Sequence, residues 1–140
     1  MISHRQRKKL NQIQNKAGAP EDALCLDSAD GPMYLYKDLL LIGHLQEKKK
    51  GVVNGGFYTL QAVDSEKCLV RCEATGKDIP LETKFVAEHM RLAFALTQAS
   101  AQGSTLKGRL RIYTRHQKFT RRHLFESISR ATAAALVEVV

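Results

Sequence analysis

The chain has 140 residues, 44% of them hydrophobic and 26% charged, and it carries a formal net charge of +8. A chain of this length fits about one domain with a real core, and its composition is that of a folded protein, which excludes disorder throughout. Its longest apolar run, LLLI at 39–42, is too short to span a bilayer, and no apolar signal core follows the basic first residues. We therefore expect an intracellular protein, in cytoplasm or nucleus, without a membrane partner.

The first half of the chain predicts one helix followed by short strands. RQRKKLNQIQNK at 5–16 has apolar residues at helical spacing, and AGAP at 17–20 ends this basic helix. Three β-prone runs follow, separated by turn residues: MYLYKDLLLIGHL at 33–45, GVVNGGFYTLQAV at 51–63 and KCLVRCEA at 67–74. We expect these antiparallel strands to form a small barrel or meander.

The second half returns to α/β character after Pro80. The expected elements are a helical or extended segment at 81–90, a buried strand at 91–97, a strand at 108–114, a helix at 119–136 and a terminal strand at 136–140. In the helix, Phe125 and Ile128 share one face, which is typical of a stripe that packs against a core.

Basic residues cluster toward both ends of the chain. Residues 1–20 carry five basic and no acidic side chains, and residues 89–140 carry nine against two, whereas residues 21–88 carry eight against twelve. Clustered Lys and Arg gain free energy by releasing the counterions of phosphates, so this pattern predicts a polyanion partner. A solvated basic face without a ligand is the alternative.

The spacing of cysteine and histidine argues against a metal site. Cys25, Cys68 and Cys72 are an odd number without paired C-x-x-C spacing, and the five histidines are scattered. We therefore expect neither a disulfide framework nor a bound metal.

The segment ALTQASAQGSTL at 95–106 has the composition of a ligand-binding loop. An α/β domain presents backbone N–H groups at the carboxyl ends of its strands, where Thr, small residues and Gly follow a strand. GSTLKGRL at 103–110 nearly matches the phosphate-binding loop G-x-x-x-x-G-K-[ST], but Arg109 replaces the lysine and Leu110 replaces the hydroxyl that ligates magnesium. The segment is therefore not a primary ATP site.

Four segments, in this order, resemble motifs of superfamily 1 helicases of the RecD-like, 5′-to-3′ branch. ISHRQRKKLN, which closes on Asn11, is similar to the segment that opens the second motor domain, and GVVNGGFYTL is similar to the Asn-Gly segment of its inserted small barrel. MRLAFALTQASAQGSTL and HLFESISRATAAALVEV resemble the last two motifs. The matching positions are Thr97, Gln102, Gly103 and Thr105 in the first, and Phe125, Ser129, Arg130 and Ala131 in the second.

The resemblance implies an α/β fold, with a RecA-like parallel sheet flanked by helices and a small antiparallel β-barrel inserted in it. Residues 1–32 and 81–140 would form RecA-like motor domain 2, and residues 33–80 the inserted barrel. ATP and Mg²⁺ would bind only in the complete helicase, where the first RecA-like domain of the same longer protein supplies the phosphate loop and the magnesium carboxylates. Single-stranded DNA is the implied partner, and RNA stays open.

The resemblance also implies roles for single residues. Arg130 would be the arginine finger that neutralises charge on the γ-phosphate, and Gln102 and Gly103 would sense nucleotide and DNA together. The residues implied to contact nucleic acid are Thr97, Ser100 and Thr105 on one side of the single-strand track, His4, Arg5 and Asn11 on the other, and Lys48, Lys49, Lys50 and Asn54 in the barrel.

The match departs from the family at four positions. Ala99 stands where the family has His, Ala101 where it has Ser, and Glu126 and Ser127 where it has Val and Ala. Without the family match, the simpler interpretation of Arg130 is a helix residue that forms a surface ion pair with Glu126, four positions earlier.

Two other classes of function stay open. The chain could be a stand-alone nucleic-acid-binding module derived from a helicase, without motor activity, or a protein-interaction domain with a basic surface. We expect the isolated 140-residue chain to be inactive toward ATP, because it lacks a phosphate-binding loop. The resemblance implies a strand-to-helix segment at 2–11, and a chain that starts inside this strand favours a fragment of a longer protein.

Overall fold

The computed structural model describes residues 4–44, 48–96, 110–112, 121–122 and 137–139. In chain order, the elements are α1 (His4–Gly18), β1 (Leu24–Ser28), β2 (Gly31–Leu35), β3 (Leu40–Gly43), β4 (Phe57–Val63), β5 (Lys67–Cys72), β6 (Asp78–Glu82), α2 (Thr83–His89), β7 (Met90–Leu92), β8 (Leu110–Ile112) and β9 (Val137–Val139). The predicted basic helix is confirmed as α1.

The chain divides into two compact units, one formed by residues 8–95 and the other by residues 1–7 with 96–140. In the second unit β8 and β9 pair in parallel, with Leu110 opposite Val137. The Nε atom of Arg111 donates to Glu138 Oε2 at 3.0 Å. These strands confirm the predictions at 108–114 and 136–140.

The 8–95 unit contains a β1–β2 hairpin and a five-stranded antiparallel sheet in the order β6-β5-β4-β3-β7. Strands β3 to β6 are neighbours in sequence and in the sheet, so the predicted meander is confirmed. A bulge between Leu60 and Ala62 shifts the register of β4 against β5. Closure of the strands into a barrel stays a prediction.

The core of this unit lies on one face of the sheet. Leu41, Tyr58, Leu60 and Val70 are fully buried there, and they cluster with Val86 of α2 and with side chains of β2. Because residues at every second position of a strand point to the same face, the alternating apolar pattern of β4 and β5 builds this layer directly. The helix α2 and the hairpin thus cover the sheet and bury its apolar face.

Three elements differ from the sequence-based expectation. Strand β6 contains Pro80, which an edge strand tolerates because no neighbour needs its N–H. Strand β1 was not predicted, and the ambiguous segment at 81–90 is largely the helix α2. Within the described residues, the strand predicted at 91–97 is only β7, which ends where its partner β3 begins at Leu40, and Ala95 beyond it bonds to Asn11.

The described residues therefore form an α/β chain whose sheets are mostly antiparallel. The parallel RecA-like sheet implied by the resemblance is not shown by these residues. Within them, β8 and β9 are the single parallel pair.

We expect Gly43→Ala to destabilise the 8–95 unit by about 3 kcal/mol, because a Cβ atom at this position would overlap the backbone carbonyl oxygen of Val53. Gly55→Ala is the control. Gly55 has φ 79°, and a Cβ atom at this position would have no neighbour within 4 Å. The substitution therefore adds only left-handed backbone strain, about 1 kcal/mol. Urea unfolding of both variants tests this, and equal losses would contradict the close approach of Gly43 to Val53.

Candidate nucleic-acid interface

Two asparagines of α1 bind the backbone of other segments through both ends of their amide groups. Asn15 Nδ2 donates to Tyr34 O at 2.9 Å, and Tyr34 N donates to Asn15 Oδ1 at 2.7 Å. Asn11 Nδ2 donates to Ala95 O at 3.0 Å, and Ala95 N donates to Asn11 Oδ1 at 2.7 Å. A carboxamide can do this because it carries a donor and an acceptor side by side, as a peptide group does. We call these two-bond contacts the Asn11 fork and the Asn15 fork.

The two forks lie on one face of α1, because positions four apart in a helix are neighbours on its surface. Asn11 is 3% exposed and Asn15 is 0% exposed, and these hydrogen bonds satisfy both amide groups. Gln12 Nε2 adds a bond to Asp30 O at 3.2 Å. The helix is thus positioned on β2 and on the residues after β7 by polar contacts.

A charged cluster lies beside the Asn11 fork. The carboxylate of Asp30 is 3.4 Å from Lys8 Nζ and 3.9 Å from Arg91 Nε. Arg91 Nη2 donates to His44 Nε2 at 2.8 Å, since a guanidinium has no acceptor. Asp30, Arg91 and His44 line a pocket with Asn11 that has a volume of about 20 Å³, room for roughly one water molecule. It is therefore too small for a nucleotide.

The segment from Lys48 to Gly56, which we call the 48–56 loop, is held in a defined shape. Lys49 and Val52 exchange backbone hydrogen bonds of 3.2 and 2.8 Å around Lys50 and Gly51, whose φ values are 52° and 83°. Positive φ at both central residues is the geometry of a type I′ turn. Val53 N donates to the Tyr58 hydroxyl at 2.9 Å. Tyr58 is a buried residue of β4, so this bond connects the loop to the core of the sheet.

The 48–56 loop exposes the residues that the sequence predicted to contact nucleic acid. Lys48, Lys49, Lys50 and Asn54 are all exposed. Lys50 Nζ lies 4.0 Å from Glu82 Oε1 and 5.1 Å from the centre of the Phe85 ring. Within the described part of the chain, no ion pair involves Lys48 or Lys49. Their charges are available to an anion, and their contact with nucleic acid stays a prediction.

The other predicted site residues are divided between described and undescribed parts. His4 and Arg5 begin α1, and the Arg5 side chain is exposed. The remaining predicted site residues lie outside the described residues: Thr97, Ser100, Gln102, Gly103, Thr105 and Arg130. The sequence did not single out Asn15 or Gln12, although the spacing of Asn11 and Asn15 was a signal that could have shown a shared helix face.

The described residues contain no group of three or more His, Cys, Asp or Glu placed to hold a metal ion. Cys25, Cys68 and Cys72 are free thiols. In the part of the chain that the structure covers, no helix is long and apolar enough to cross a membrane.

Solved structures with a similar fold include those of Pif1 helicases. Bacteroides Pif1 bound to single-stranded DNA matches with a TM-score of 0.71 and 17% identity, over 95% of this chain and 38% of that one. A structure of two coordinating Pif1 helicases at forked duplex DNA matches with 0.70 and 18%, over 94% and 36%. Candida albicans Pif1 matches with 0.67 and 13%, over 100% and 44%.

At these low identities, the structural similarity shows a shared fold and nothing more. The chain spans about two fifths of the length of the helicases it matches. The sequence matches no protein-family model and no curated protein sequence. The chain thus shares the fold of part of the Pif1 helicases, while the assignment to superfamily 1, its RecD-like branch and the inserted barrel stay predictions.

We expect Tyr58→Phe to lower the free energy of unfolding by about 1–2 kcal/mol at pH 7, because Val53 N–H loses its acceptor. Burial raises the pKa of Tyr58 above 10.0, although the hydrogen bond from Val53 lowers it in part. A raised folded-state pKa gives stability that is full below pH 10 and is lost as the pH rises through the folded-state value. The variant should therefore lose less stability above pH 10 than the wild type.

Urea unfolding from pH 7 to about pH 11 measures both effects, with Tyr34→Phe as the control because it leaves the bonds of the 48–56 loop in place. If Tyr58→Phe and the wild type lose the same free energy of unfolding between pH 7 and about pH 11, ionisation of the buried hydroxyl does not contribute to that loss.

Proposed function

We propose that this chain is the C-terminal motor-domain portion of an ATP-dependent DNA helicase. It binds single-stranded DNA and supplies the arginine finger to an ATP site that the first RecA-like domain of the same longer protein completes. The observation that carries the proposal is the agreement between two kinds of likeness. Four helicase-like motifs follow one another in the family's order, and the fold matches DNA-bound Bacteroides Pif1 over 95% of the chain.

The parallel pair β8–β9 supports the RecA-like interpretation of residues 1–32 and 81–140. Two parallel neighbours need a crossover connection, which is usually a helix. The sequence predicts a helix at 119–136 between these strands, and Arg121 and Arg122 are helical. In the proposal Arg130 lies on this crossover helix, and the antiparallel strands within 33–80 belong to the insertion.

The residues of the chain fit one half of an ATP site. The sequence has cations but lacks the Lys-Ser/Thr pair of a phosphate-binding loop, and the described residues hold no group of magnesium ligands. When bound in the complete helicase, ATP and Mg²⁺ supply the phosphoryl-transfer chemistry. Arg130 neutralises charge on the phosphates, and Gln102 and Gly103 respond to the nucleotide.

The proposed DNA contacts combine hydroxyl and cationic groups. Thr97, Ser100 and Thr105 bind phosphates through hydroxyl and backbone groups. The Lys48 and Lys49 side chains contribute charge from the exposed 48–56 loop, and no ion pair between them and another described residue is present. Each phosphate that a lysine neutralises releases counterions, so affinity must fall as salt is added.

We expect the double substitution Lys48→Glu, Lys49→Glu to weaken binding to a single-stranded oligonucleotide at least about tenfold at low salt. The slope of log affinity against log salt should become shallower by about 1.4, because each phosphate contact on a single strand contributes about 0.7. Fluorescence anisotropy at several salt concentrations measures both quantities, with duplex DNA and single-stranded RNA as competitors.

The control is the double substitution Lys37→Glu, Lys67→Glu, which changes the net charge equally at two exposed lysines outside the loop. We expect a loss of a few-fold from long-range electrostatics and an unchanged slope. Equal losses in both variants would mean that the loop contributes only net charge. Weak, salt-independent binding by the wild type would rule out DNA binding by this surface.

We expect no ATP hydrolysis by the 140-residue chain alone. In a protein that joins the chain to a first RecA-like domain, Arg130→Ala should lower DNA-stimulated kcat about a thousandfold or more, because an arginine finger stabilises the transition state. Affinity for single-stranded DNA should change less than twofold. A coupled ATPase assay measures this, with Arg121→Ala on the same predicted helix as the control.

Turnover that is unchanged by Arg130→Ala would exclude the arginine finger. It would favour a nucleic-acid-binding module without a motor role.

A further inference from the structure

Lys50 stands at a position of the 48–56 loop where lysine is unusual. It is the first central residue of the turn that Lys49 and Val52 close, and its φ is 52°. This position of a type I′ turn favours Asn, Asp or Gly, and a lysine there is strained. Such strain persists only where surrounding contacts support it. The contacts of the Lys50 side chain therefore decide whether the turn keeps its shape.

The Lys50 side chain extends to the start of α2. Its Nζ atom lies 4.0 Å from Glu82 Oε1 and 5.1 Å from the centre of the Phe85 ring, a distance at which an ammonium is attracted to an aromatic face. Phe85 is 7% exposed, and Glu82 is the N-cap of α2 but makes no capping bond with its side chain. Lys50 thus joins the turn to a core ring and to a carboxylate at the same helix end.

Gly51, the second central residue of the turn, contacts the neighbouring strand. A Cβ atom at this position would lie 3.4 Å from Ile79 Cδ1, so the turn packs against β6 as well as α2. The part of the loop after the turn has a separate anchor, since Val53 N donates to the Tyr58 hydroxyl. The loop is therefore held at two places, and Lys50 and Gly51 make the contacts at the turn.

The position of the turn determines where Lys48 and Lys49 stand. The backbone N–H and C=O of Lys49 both bond to Val52, so Lys49 moves with the turn, and Lys48 directly precedes it. Both side chains are exposed, and neither forms an ion pair with another described residue. A displaced turn would carry both charges away from their place.

We infer that Lys50 is a positioning residue for single-stranded DNA. Its side chain holds the turn against Glu82 and Phe85, so that Lys48 and Lys49 meet the phosphates at a fixed place. Lys50 acts through the turn and does not contact the DNA, which differs from the equal role that the family resemblance implies for the three lysines. This inference rests on the proposed function, because it assigns Lys48 and Lys49 to DNA binding.

Glu82→Gln distinguishes positioning from direct contact by the sign of its effect. The substitution keeps the side-chain length, removes the charge that attracts Lys50, and makes the net charge more positive by one. If Lys50 bound a phosphate, loss of the competing carboxylate would strengthen DNA binding. Because Lys50 positions the turn, we expect affinity for a single-stranded oligonucleotide to fall about threefold at low salt, measured by fluorescence anisotropy.

Asp78→Asn is the matched control. Asp78 and Glu82 both belong to β6, and each lies opposite a cation of β5, Arg71 and Lys67 respectively. The two substitutions change the net charge equally, but Asp78 pairs with Arg71 and not with the loop. We expect Asp78→Asn to raise the affinity at most about twofold, through long-range electrostatics.

Lys50→Met tests the same contact from its other side. It keeps an unbranched apolar side chain near Phe85 and removes the charge. We expect affinity to fall about fivefold with an unchanged salt slope, because fewer molecules hold the turn in place while bound DNA still meets Lys48 and Lys49. Lys48→Met should make the slope shallower by about 0.7, the contribution of one phosphate contact. Adding Glu82→Gln to Lys50→Met should cause no further loss, since both remove one interaction.

Amide hydrogen exchange reports the turn itself through Val52, whose N–H donates to Lys49 O at 2.8 Å. We expect this amide to exchange at least about threefold faster in Glu82→Gln and Lys50→Met, and at the wild-type rate in Asp78→Asn. Urea unfolding should give nearly the wild-type stability for all three variants, because exposed ion pairs add little to it. A loss of affinity without a loss of stability separates positioning from a general structural role.

Other outcomes overturn the inference. Tighter binding by Glu82→Gln than by Asp78→Asn, or a slope shallower by one phosphate contact in Lys50→Met, would show a direct contact of Lys50. Wild-type exchange of the Val52 amide in Glu82→Gln would mean that the contact does not hold the turn. Faster exchange of this amide with wild-type affinity would mean that the position of the turn has no part in binding.

The same experiment distinguishes failure of this inference from failure of the proposed function. A wild-type chain that binds no single-stranded DNA, while its Val52 amide is protected, removes the proposed function and the inference with it. A wild-type chain that binds DNA, while Glu82→Gln and Asp78→Asn bind equally well, removes the inference alone.

Discussion

The placement of α1 depends on asparagine amides that replace peptide groups as hydrogen-bond partners. The helix has little apolar surface to bury, since its sequence HRQRKKLNQIQNKAG contains few apolar residues and Ile13 is 51% exposed. Hydrophobic burial, at about 25 cal/mol per Å², therefore contributes little to holding it. The Asn11 and Asn15 forks replace that contribution with directed bonds. A buried amide that lost its partner would cost about 1–3 kcal/mol. Because each bond has a required direction, the forks also fix how the helix lies on β2 and beside Ala95.

The 48–56 loop shows a different division between core and surface. Tyr58 fills the core with its ring and bonds the loop with its hydroxyl, so one residue links the rigid sheet to an exposed segment. Gly43 of β3 allows the backbone of Val53 in the loop to lie close to the sheet, because any side chain at position 43 would overlap the carbonyl oxygen of Val53. A loop held in this way presents Lys48 and Lys49 at fixed positions on the surface, while its Val52 is buried in the core. Binding groups can then change without disturbing the core.

Local patterns in the sequence predicted the helices and strands that are specified by neighbouring residues alone. The helix at 5–16 and the strands at β4 and β5 follow from periodic apolar residues and flanking turns. Strand β6 was not predicted, because it contains Pro80 and proline usually interrupts a strand. Only the edge position of β6, which the sequence does not show, makes this proline compatible with pairing. The end of β7 was hidden for another reason. It depends on where the partner strand β3 begins, and the next contact of the chain, between Ala95 and Asn11, joins residues 84 positions apart in sequence, so no local pattern reports it. The same separation explains why Asn11 could be predicted as a site residue by resemblance but not as a partner of Ala95.

The charge distribution supports the proposal that this chain contributes cations to sites completed by others. Within the 8–95 unit several acidic residues lie near cations of the same unit: Asp30 lies near Lys8 and Arg91, Asp78 near Arg71, and Glu88 near Lys84. These pairs are mostly exposed and add little stability. Their effect is to neutralise lysines and arginines that would otherwise extend the positive field. The net positive charge is concentrated toward both ends of the chain, in residues 1–20 with five basic and no acidic side chains and in residues 89–140 with nine basic and two acidic, and the 48–56 loop adds three lysines. Clustered cations can bind and stabilise phosphates, and in the proposal a second domain supplies the magnesium carboxylates that position a nucleotide for hydrolysis.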